Sequence, residues 1–491
     1  MITDKDTNEF YIKLLDIFKG SNAIAYRYFN ESYAYRDMYS RMLKLNSVLS
    51  KYRHSQIVLY ATKKFPAYAG IFSIFLSGNT WLPLSTDTPV ARNMDILELA
   101  DPRLVIHEGN LPGVLLDYFV GRKVDVVSFE QIFSEGAEEE FAVRSFKRDD
   151  IAYIMFTSGS TGIPKGVPMT HENYINFVKN VLEILPLGKN EVFSDFHEFA
   201  FDISIFSLFA CVFTEGAFSP IIEQRDKIIP INHILENGVT IWSSVPSVIN
   251  RIKTFRPKDK VETPIKIMFL CGEPLKFDVL KYCFNNMALD NVYNFYGLTE
   301  TGVENFHHRC VPQDLEKYVN FGMAPIGKPL PGNYVTITND KELCIGGCQI
   351  SPGYLGNASP EKFEVIDNVR WCRTGDIVEK YDEVYFCKGR LDAQVKLSGY
   401  RVELMDIEAH IAKQDSVSQV VCFVNEGNAR TTLVAVIKPE SGIDFKAIQK
   451  NLEKELPTYM IPKDYMILEN FPLNINGKVD RKKIREMYQN R

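Results

Sequence analysis

The chain has 491 residues, 45% hydrophobic and 24% charged, with a formal net charge of −6. At roughly 100–200 residues per domain, that length supports two to four domains with substantial cores. The acidic balance excludes a nucleic-acid binder that relies on a basic surface, and no run approaches the ~18 apolar residues of a membrane helix. The polar start Met1-Ile2-Thr3-Asp4-Lys5-Asp6 lacks the apolar stretch of a secretory signal. Nine cysteines without a C-x-x-C pair read as reduced thiols. Cys344 and Cys348 stand four apart with no further ligand at zinc-site spacing. A cytoplasmic protein with neither nucleic-acid nor membrane partners is expected.

In chain order, residues 9–19 place Phe10, Leu14, Leu15 and Phe18 on one side of a predicted helix. Residues 56–61 predict a buried strand. Residues 65–78 predict a helix that tolerates Pro66 in its first turn and stops at Gly78. Short strands are predicted at 105–107, 124–127 and 151–156, and strand–helix alternation continues to about residue 300, the pattern of α/β layers. After Ile326-Gly327-Lys328-Pro329 the texture changes to short β runs, 334–337 and 383–387. A polar joint follows at Lys388-Gly389-Arg390-Leu391-Asp392. The remaining stretch is long enough for a small α+β domain, with strands at 420–424 and 433–437.

The most informative segment is Thr157-Ser158-Gly159-Ser160-Thr161-Gly162-Ile163-Pro164-Lys165-Gly166, directly after a predicted strand. Glycines let backbone N–H groups approach an anion, hydroxyls add donors and the lysine adds charge, so the loop suits a polyphosphate. It is not a Walker loop: Pro164 stands where the second glycine belongs. The order T-S-G-S-T-G-x-P-K-G resembles the phosphate loop of the adenylate-forming (ANL) superfamily, which includes acyl-CoA synthetases, luciferases and amino-acid adenylation domains.

Further segments follow in the family's order. Asn294-Phe295-Tyr296-Gly297-Leu298-Thr299-Glu300 resembles N-x-Y-G-x-T-E, which implies Tyr296 on adenine, Asn294 beside the nucleotide, Thr299 at phosphate and Glu300 on Mg²⁺. Leu298 departs from the Pro usual in carrier-loading members. Arg373-Thr374-Gly375-Asp376 resembles T-G-D, whose aspartate grips both ribose hydroxyls. Gly389-Arg390-Leu391-Asp392 resembles the hinge, with Arg390 on the nucleotide and Asp392 the pivot. The Gly399 segment is expected to line a phosphopantetheine tunnel. Lys478, in Asn476-Gly477-Lys478, resembles the lysine that bridges the substrate carboxylate and the α-phosphate. With Lys478, Thr161 and Glu300 are the expected catalytic groups; Thr157, Ser158, Gly159, Ser160, Gly162 and Lys165 are the expected nucleotide contacts.

Phe201-Asp202-Ile203-Ser204 resembles the F-D-x-S of amino-acid-activating members, which implies that Asp202 pairs with an α-ammonium group. A helix N-cap is the competing role for Asp202. The same resemblance implies a pocket of Ile203, Phe206, Ser243, Phe269, Cys271, Phe295, Val303 and Glu304, whose three phenylalanines favour a small, alanine-like side chain. Cys271, in Cys271-Gly272-Glu273, resembles the C-G-E of D-alanine–carrier protein ligases. Glu304 either meets a hydroxyl or amine of the substrate, or faces solvent or His307.

The resemblance implies a large multi-layered α/β domain with mixed sheets (1–391) and a small mobile α+β domain (392–491). It implies a ligase using ATP and Mg²⁺ to adenylate a small amino acid and pass it to the phosphopantetheine thiol of a separate carrier protein. The alternatives are an acyl- or aryl-CoA ligase, which Asp202 disfavours, and an inactive nucleotide-binding regulator.

Overall fold

The apolar spacing at the N-terminus forms the helix Asp4–Gly20, which buries Phe10, Tyr11, Leu14 and Phe18. Thr3 caps it, its hydroxyl accepting the Asp6 N–H at 3.2 Å. The helix expected at 65–78 spans Phe65–Leu76 with proline in its first turn, and Gly78 closes it at φ 69°. The computed structural model describes residues 2–142, 145–159, 163–257, 260–391, 394–397, 399–426, 431–440, 442–472 and 479–491.

The chain divides into two units. The first comprises Met1–Thr86, Leu99–Phe156 and Gly166–Leu391; the second comprises Asp87–Glu98, Thr157–Lys165 and Asp392–Arg491. A six-stranded sheet runs in the order Asp125–Ser128, Pro102–His107, Gln56–Tyr60, Thr80–Leu84, Ile151–Thr157, Lys165–Thr170. Its strands read as near-continuous apolar runs because both faces are covered, as in parallel sheets generally.

A nine-stranded sheet has a parallel centre: Ala217–Pro220, Val192–Asp195, Ile241–Ser244, Ile267–Leu270 and Val292–Tyr296 in spatial order. Phe306–Cys310 adds an antiparallel strand beside Val292–Tyr296. Alternation along these strands separates two cores. Ile241, Ile267, Phe269, Cys271, Tyr293 and Phe295 pack into one, and Trp242, Met268, Leu270 and Val292 into the other. The helix Ser204–Phe213 belongs to the first. The β-rich stretch after residue 326 forms an antiparallel five-stranded sheet built on the long strand Val369–Tyr381. The expected α/β architecture with mixed sheets is the one found.

The second unit holds a three-stranded sheet of Val417–Glu426, Thr431–Pro439 and Asp464–Ile467, and the ribbon Gln394–Leu397 with Tyr400–Glu403. Ile407 and Ile411 of one helix and Ile448 and Leu452 of another cover Leu433, Ala435 and Ile437. Arg481 forks onto Glu408 at 2.6 and 2.5 Å, and Arg92 reaches the buried Asp406 at 3.1 Å. All nine cysteines are free thiols. Among the described residues no helix is long and apolar enough to cross a membrane.

Candidate active site

Three phenylalanines expected in the acid pocket meet in the first unit. Phe206 stacks on Phe269 with centroids 4.2 Å apart, and Phe269 stacks on Phe295 at 4.1 Å. Register produces this contact: Phe269 lies opposite Tyr293, so Phe295, two residues on, projects from the same face. Ser243 pairs with Phe269 and shares that face. Ile203, Cys271 and Val303 belong to the same apolar core.

Asp202 is half-buried in the turn before Ser204–Phe213, and the N-cap position falls to Ile203, one residue later, without a side-chain cap bond. Burial, followed by the charge of Asp202, pushes the Tyr153 phenol well above its usual range, which places Asp202 near the strand Ile151–Thr157. Glu304 is 4% exposed, which rules out the solvent-facing role. Gly297 explains its approach: a Cβ at Gly297 would lie 2.3 Å from the Val303 carbonyl oxygen and 2.5 Å from Glu304 Cα. Glycine is thus needed for the segment Val303–Glu304 to close against the strand Val292–Tyr296.

The nucleotide residues of the same unit form a second group. Asp376 is buried, with the Tyr296 hydroxyl donating to Oδ2 at 2.5 Å and Arg390 donating to Oδ1 at 2.5 Å. Arg390 also donates to the Thr374 carbonyl at 3.1 Å. Burial, reinforced by the Asp376 charge, raises the Tyr296 phenol well above its usual range, so it stays a donor. Each carboxylate oxygen of Asp376 carries two lone-pair sites, so the pair can also accept hydroxyl protons. Asn294 donates to the Pro325 carbonyl at 2.8 Å, which pins the end of its strand.

Leu298 donates its N–H to the Thr301 hydroxyl at 3.1 Å, a bond that proline in its place would forfeit. Thr299 opens the short helix Thr299–Thr301. Glu300, 1% exposed, accepts at Oε1 from the Tyr354 hydroxyl at 2.5 Å and from the Lys362 ammonium at 3.2 Å. Mg²⁺ takes oxygen ligands and is often held by one or two carboxylates plus substrate phosphates. A buried, charge-supported carboxylate such as Glu300 fits that donor set. A separate cluster of His308, Cys310 and Asp314 fits a metal less well. Asp314 Oδ2 already accepts from His308 Nε2 and the Val311 N–H, both at 2.9 Å, and burial pushes the Cys310 thiol far up.

In the second unit, Ser158 is engaged by protein backbone, donating to the Arg401 carbonyl and accepting the Glu403 N–H, each at 3.1 Å. A Cβ on Gly159 would fall 1.9 Å from the Ile163 carbonyl oxygen, so this loop position admits only glycine. Thr157 ends the strand Ile151–Thr157 and Lys165 begins Lys165–Thr170. Ser160, Thr161, Gly162, Asp392 and Lys478 lie outside the described residues.

Sequence reading missed Lys362, Tyr354 and Lys63. The buried Lys63 ammonium donates to three successive carbonyls, Asp195, Phe196 and His197, at 2.9, 3.0 and 3.3 Å. Its three N–H bonds thereby hold the chain that leads to Asp202. Burial pushes Asp195 up to about 6 despite that ammonium and holds His197 down at about 3. Only the doublet Lys63-Lys64 at the start of an apolar helix hints at this, because a buried lysine needs several acceptors.

Two α/β units carrying these segments in this order define an adenylate-forming enzyme. The chain belongs to the AMP-binding enzyme family, whose model matches residues 18–355, while the model of the AMP-binding enzyme C-terminal domain matches residues 406–478. Among its curated relatives is the D-alanine–D-alanyl carrier protein ligase of Staphylococcus epidermidis, 28% identical over 95% of this chain and 96% of the relative. The enzyme of the same name from Staphylococcus aureus strain Newman is 28% identical over 97% and 99%. Solved structures share the fold. The Vibrio cholerae adenylation domain AlmE, with glycyl-adenosine-5′-phosphate, has TM-score 0.80 and 20% identity over 98% of each chain. The amide bond synthetase McbA of Marinactinospora thermotolerans has TM-score 0.84 and 17% identity over 97% and 99%.

Proposed function

We propose that this enzyme adenylates a small, alanine-sized amino acid and transfers it to the phosphopantetheine thiol of a separate carrier protein in the cytoplasm. The observation that carries the reading is the half-buried Asp202 in the turn before the helix Ser204–Phe213, whose Phe206 joins the phenylalanine stack. A carboxylate in that turn can receive the α-ammonium of an amino acid in a charge-assisted hydrogen bond. The relatives named as D-alanine–D-alanyl carrier protein ligases support both the substrate size and the acceptor.

In the first half-reaction a substrate carboxylate oxygen attacks the α-phosphorus of ATP, the α–β anhydride bond breaks and pyrophosphate leaves. In the second, a thiolate attacks the acyl carbon and AMP leaves. Tyr296, Asp376 and Arg390 are assigned to the nucleoside; Glu300 would hold Mg²⁺, which draws charge from the phosphates. Thr161 and Lys478 are assigned to the α-phosphate, where lysine offsets repulsion between two approaching anions. An acyl- or aryl-CoA ligase is disfavoured because the segment Phe201-Asp202-Ile203-Ser204 resembles that of amino-acid-activating members.

Amino-acid-dependent exchange of pyrophosphate into ATP tests the reading. Exchange with small amino acids, lost in Asp202→Ala while ATP binding persists, is expected. Stronger exchange with fatty or aryl acids than with any amino acid would sink it.

A further inference from the structure

Lys63 ties the two large sheets of the first unit together. It follows the strand Gln56–Tyr60 of the six-stranded sheet. Its ammonium meets the carbonyls of Asp195, Phe196 and His197, where the strand Val192–Asp195 leaves the nine-stranded sheet. Loops ordinarily run over the surface, where water satisfies their carbonyls. Here an ammonium only 3% exposed, costly to bury, takes three carbonyls in succession, so this stretch is held in one place.

The hold passes along the loop to Asp202. Tyr68 donates to Asp195 Oδ2 at 2.5 Å, and its ring meets the buried Phe199 edge-on at 5.3 Å. The Glu198 carboxylate lies 4.0 Å from the Lys63 ammonium and 2.8 Å from that of Lys227, and the Glu198 carbonyl accepts the Phe201 N–H at 3.0 Å. The Asp202 carbonyl accepts the Ile205 N–H at 2.9 Å, which fastens the far end of the loop to the helix Ser204–Phe213. Lys63 is itself secured on both sides. The Thr62 N–H donates to Glu108 Oε2 at 3.0 Å, and the Lys64 ammonium donates to Glu108 Oε1 at 2.6 Å. Val192–Asp195 has parallel neighbours on both sides, and the carboxyl ends of parallel strands are where open α/β sheets bind their ligands.

Resting on the amino-acid reading above, we propose that Lys63 is a positioning residue for the amino acid. It acts through Asp202: by fixing the loop 195–202 it holds that carboxylate where the α-ammonium arrives. Charge-assisted hydrogen bonds are short, and a misplacement of about 1 Å can cost on the order of a hundredfold. Tyr296, Asp376 and Arg390 form a separate group, so nucleotide binding does not depend on this lysine.

The test is pyrophosphate exchange by the full chain with whichever of glycine, alanine and serine the wild type uses best, read as separate KM values for amino acid and ATP. Lys63→Met should raise the amino-acid KM by about tenfold or more and leave the ATP KM unchanged. Lys63→Arg, which keeps the charge and several donors, should recover much of that loss. A fall in the amount of folded enzyme lowers the rate and moves neither KM. Glu108→Ala removes the anchor of Thr62 and Lys64 while keeping Lys63, and should raise the amino-acid KM alone; it decides the matter if Lys63→Met does not fold. An unchanged amino-acid KM, or amino-acid and ATP KM values that rise together, overturns the inference and leaves the adenylation reading intact. Exchange with no amino acid in the wild type overturns both.

Discussion

Gly297 shows how one residue sets the pocket. Its missing side chain lets Val303 and Glu304 lie where a Cβ would meet a carbonyl oxygen at 2.3 Å. Gly297→Ala is expected to destabilise the first unit by about 1–3 kcal/mol, the usual penalty for overpacking, and to weaken amino-acid selection as Glu304 is displaced. Thermal unfolding alongside exchange kinetics checks this; an unchanged melting temperature would mean that the loop yields freely. At this scale the motifs named candidate residues in the sequence. Tyr296 and Asp376 were read from separate motifs as nucleotide contacts, and their hydrogen bond to each other emerges only from the fold. The partners that support them were not legible. Lys362 and Lys63 come from distant stretches, and nothing local says that Lys362 meets Glu300 or that Lys63 gathers three carbonyls.

Elements were read well where a pattern repeats and less well where sheet partners set their length. The strand expected at 56–61 is Gln56–Tyr60, whereas that expected at 420–424 extends to Val417–Glu426 because pairing with Thr431–Pro439 continues past the apolar run. The helix His171–Ile184 raises a matter of pH. His171 begins it, fully buried, with Nδ1 2.8 Å from the Tyr11 hydroxyl. Burial holds its imidazole at about 3, and burial likewise lowers His233 to about 4. Between those values and the ordinary imidazole range the unfolded chain binds more protons than the folded one, so stability rises with pH there and falls on acidification. His171→Asn keeps a polar atom near Tyr11 and cannot titrate. Its unfolding free energy should lose up to about 2 kcal/mol less than the wild type's between pH 7 and pH 5. Parallel pH profiles in chemical denaturation would contradict the assignment.

At the scale of the molecule, the order of segments along the chain pointed to an α/β fold with mixed sheets and to an adenylate-forming enzyme, and the sheets and the family match agree. Three gaps came from chemistry that no motif records. The Ser158 hydroxyl bonds to backbone at Arg401 and Glu403, the buried Ser243 hydroxyl has no hydrogen-bond partner among the described residues, and Leu298 stands where carrier-loading members have proline yet uses its N–H. The central claim is that an amino acid, once activated by ATP, moves to a carrier-borne thiol. The most direct measurement incubates the enzyme with ATP, Mg²⁺, a labelled small amino acid, a phosphopantetheinylated carrier protein and free coenzyme A, and follows the thioesters by mass. The account predicts the aminoacyl group on the carrier's phosphopantetheine, formed only with ATP and absent with Asp202→Ala. An acyl group delivered to coenzyme A in preference to the carrier, or thioester formation only with acids that lack an amine, would contradict it.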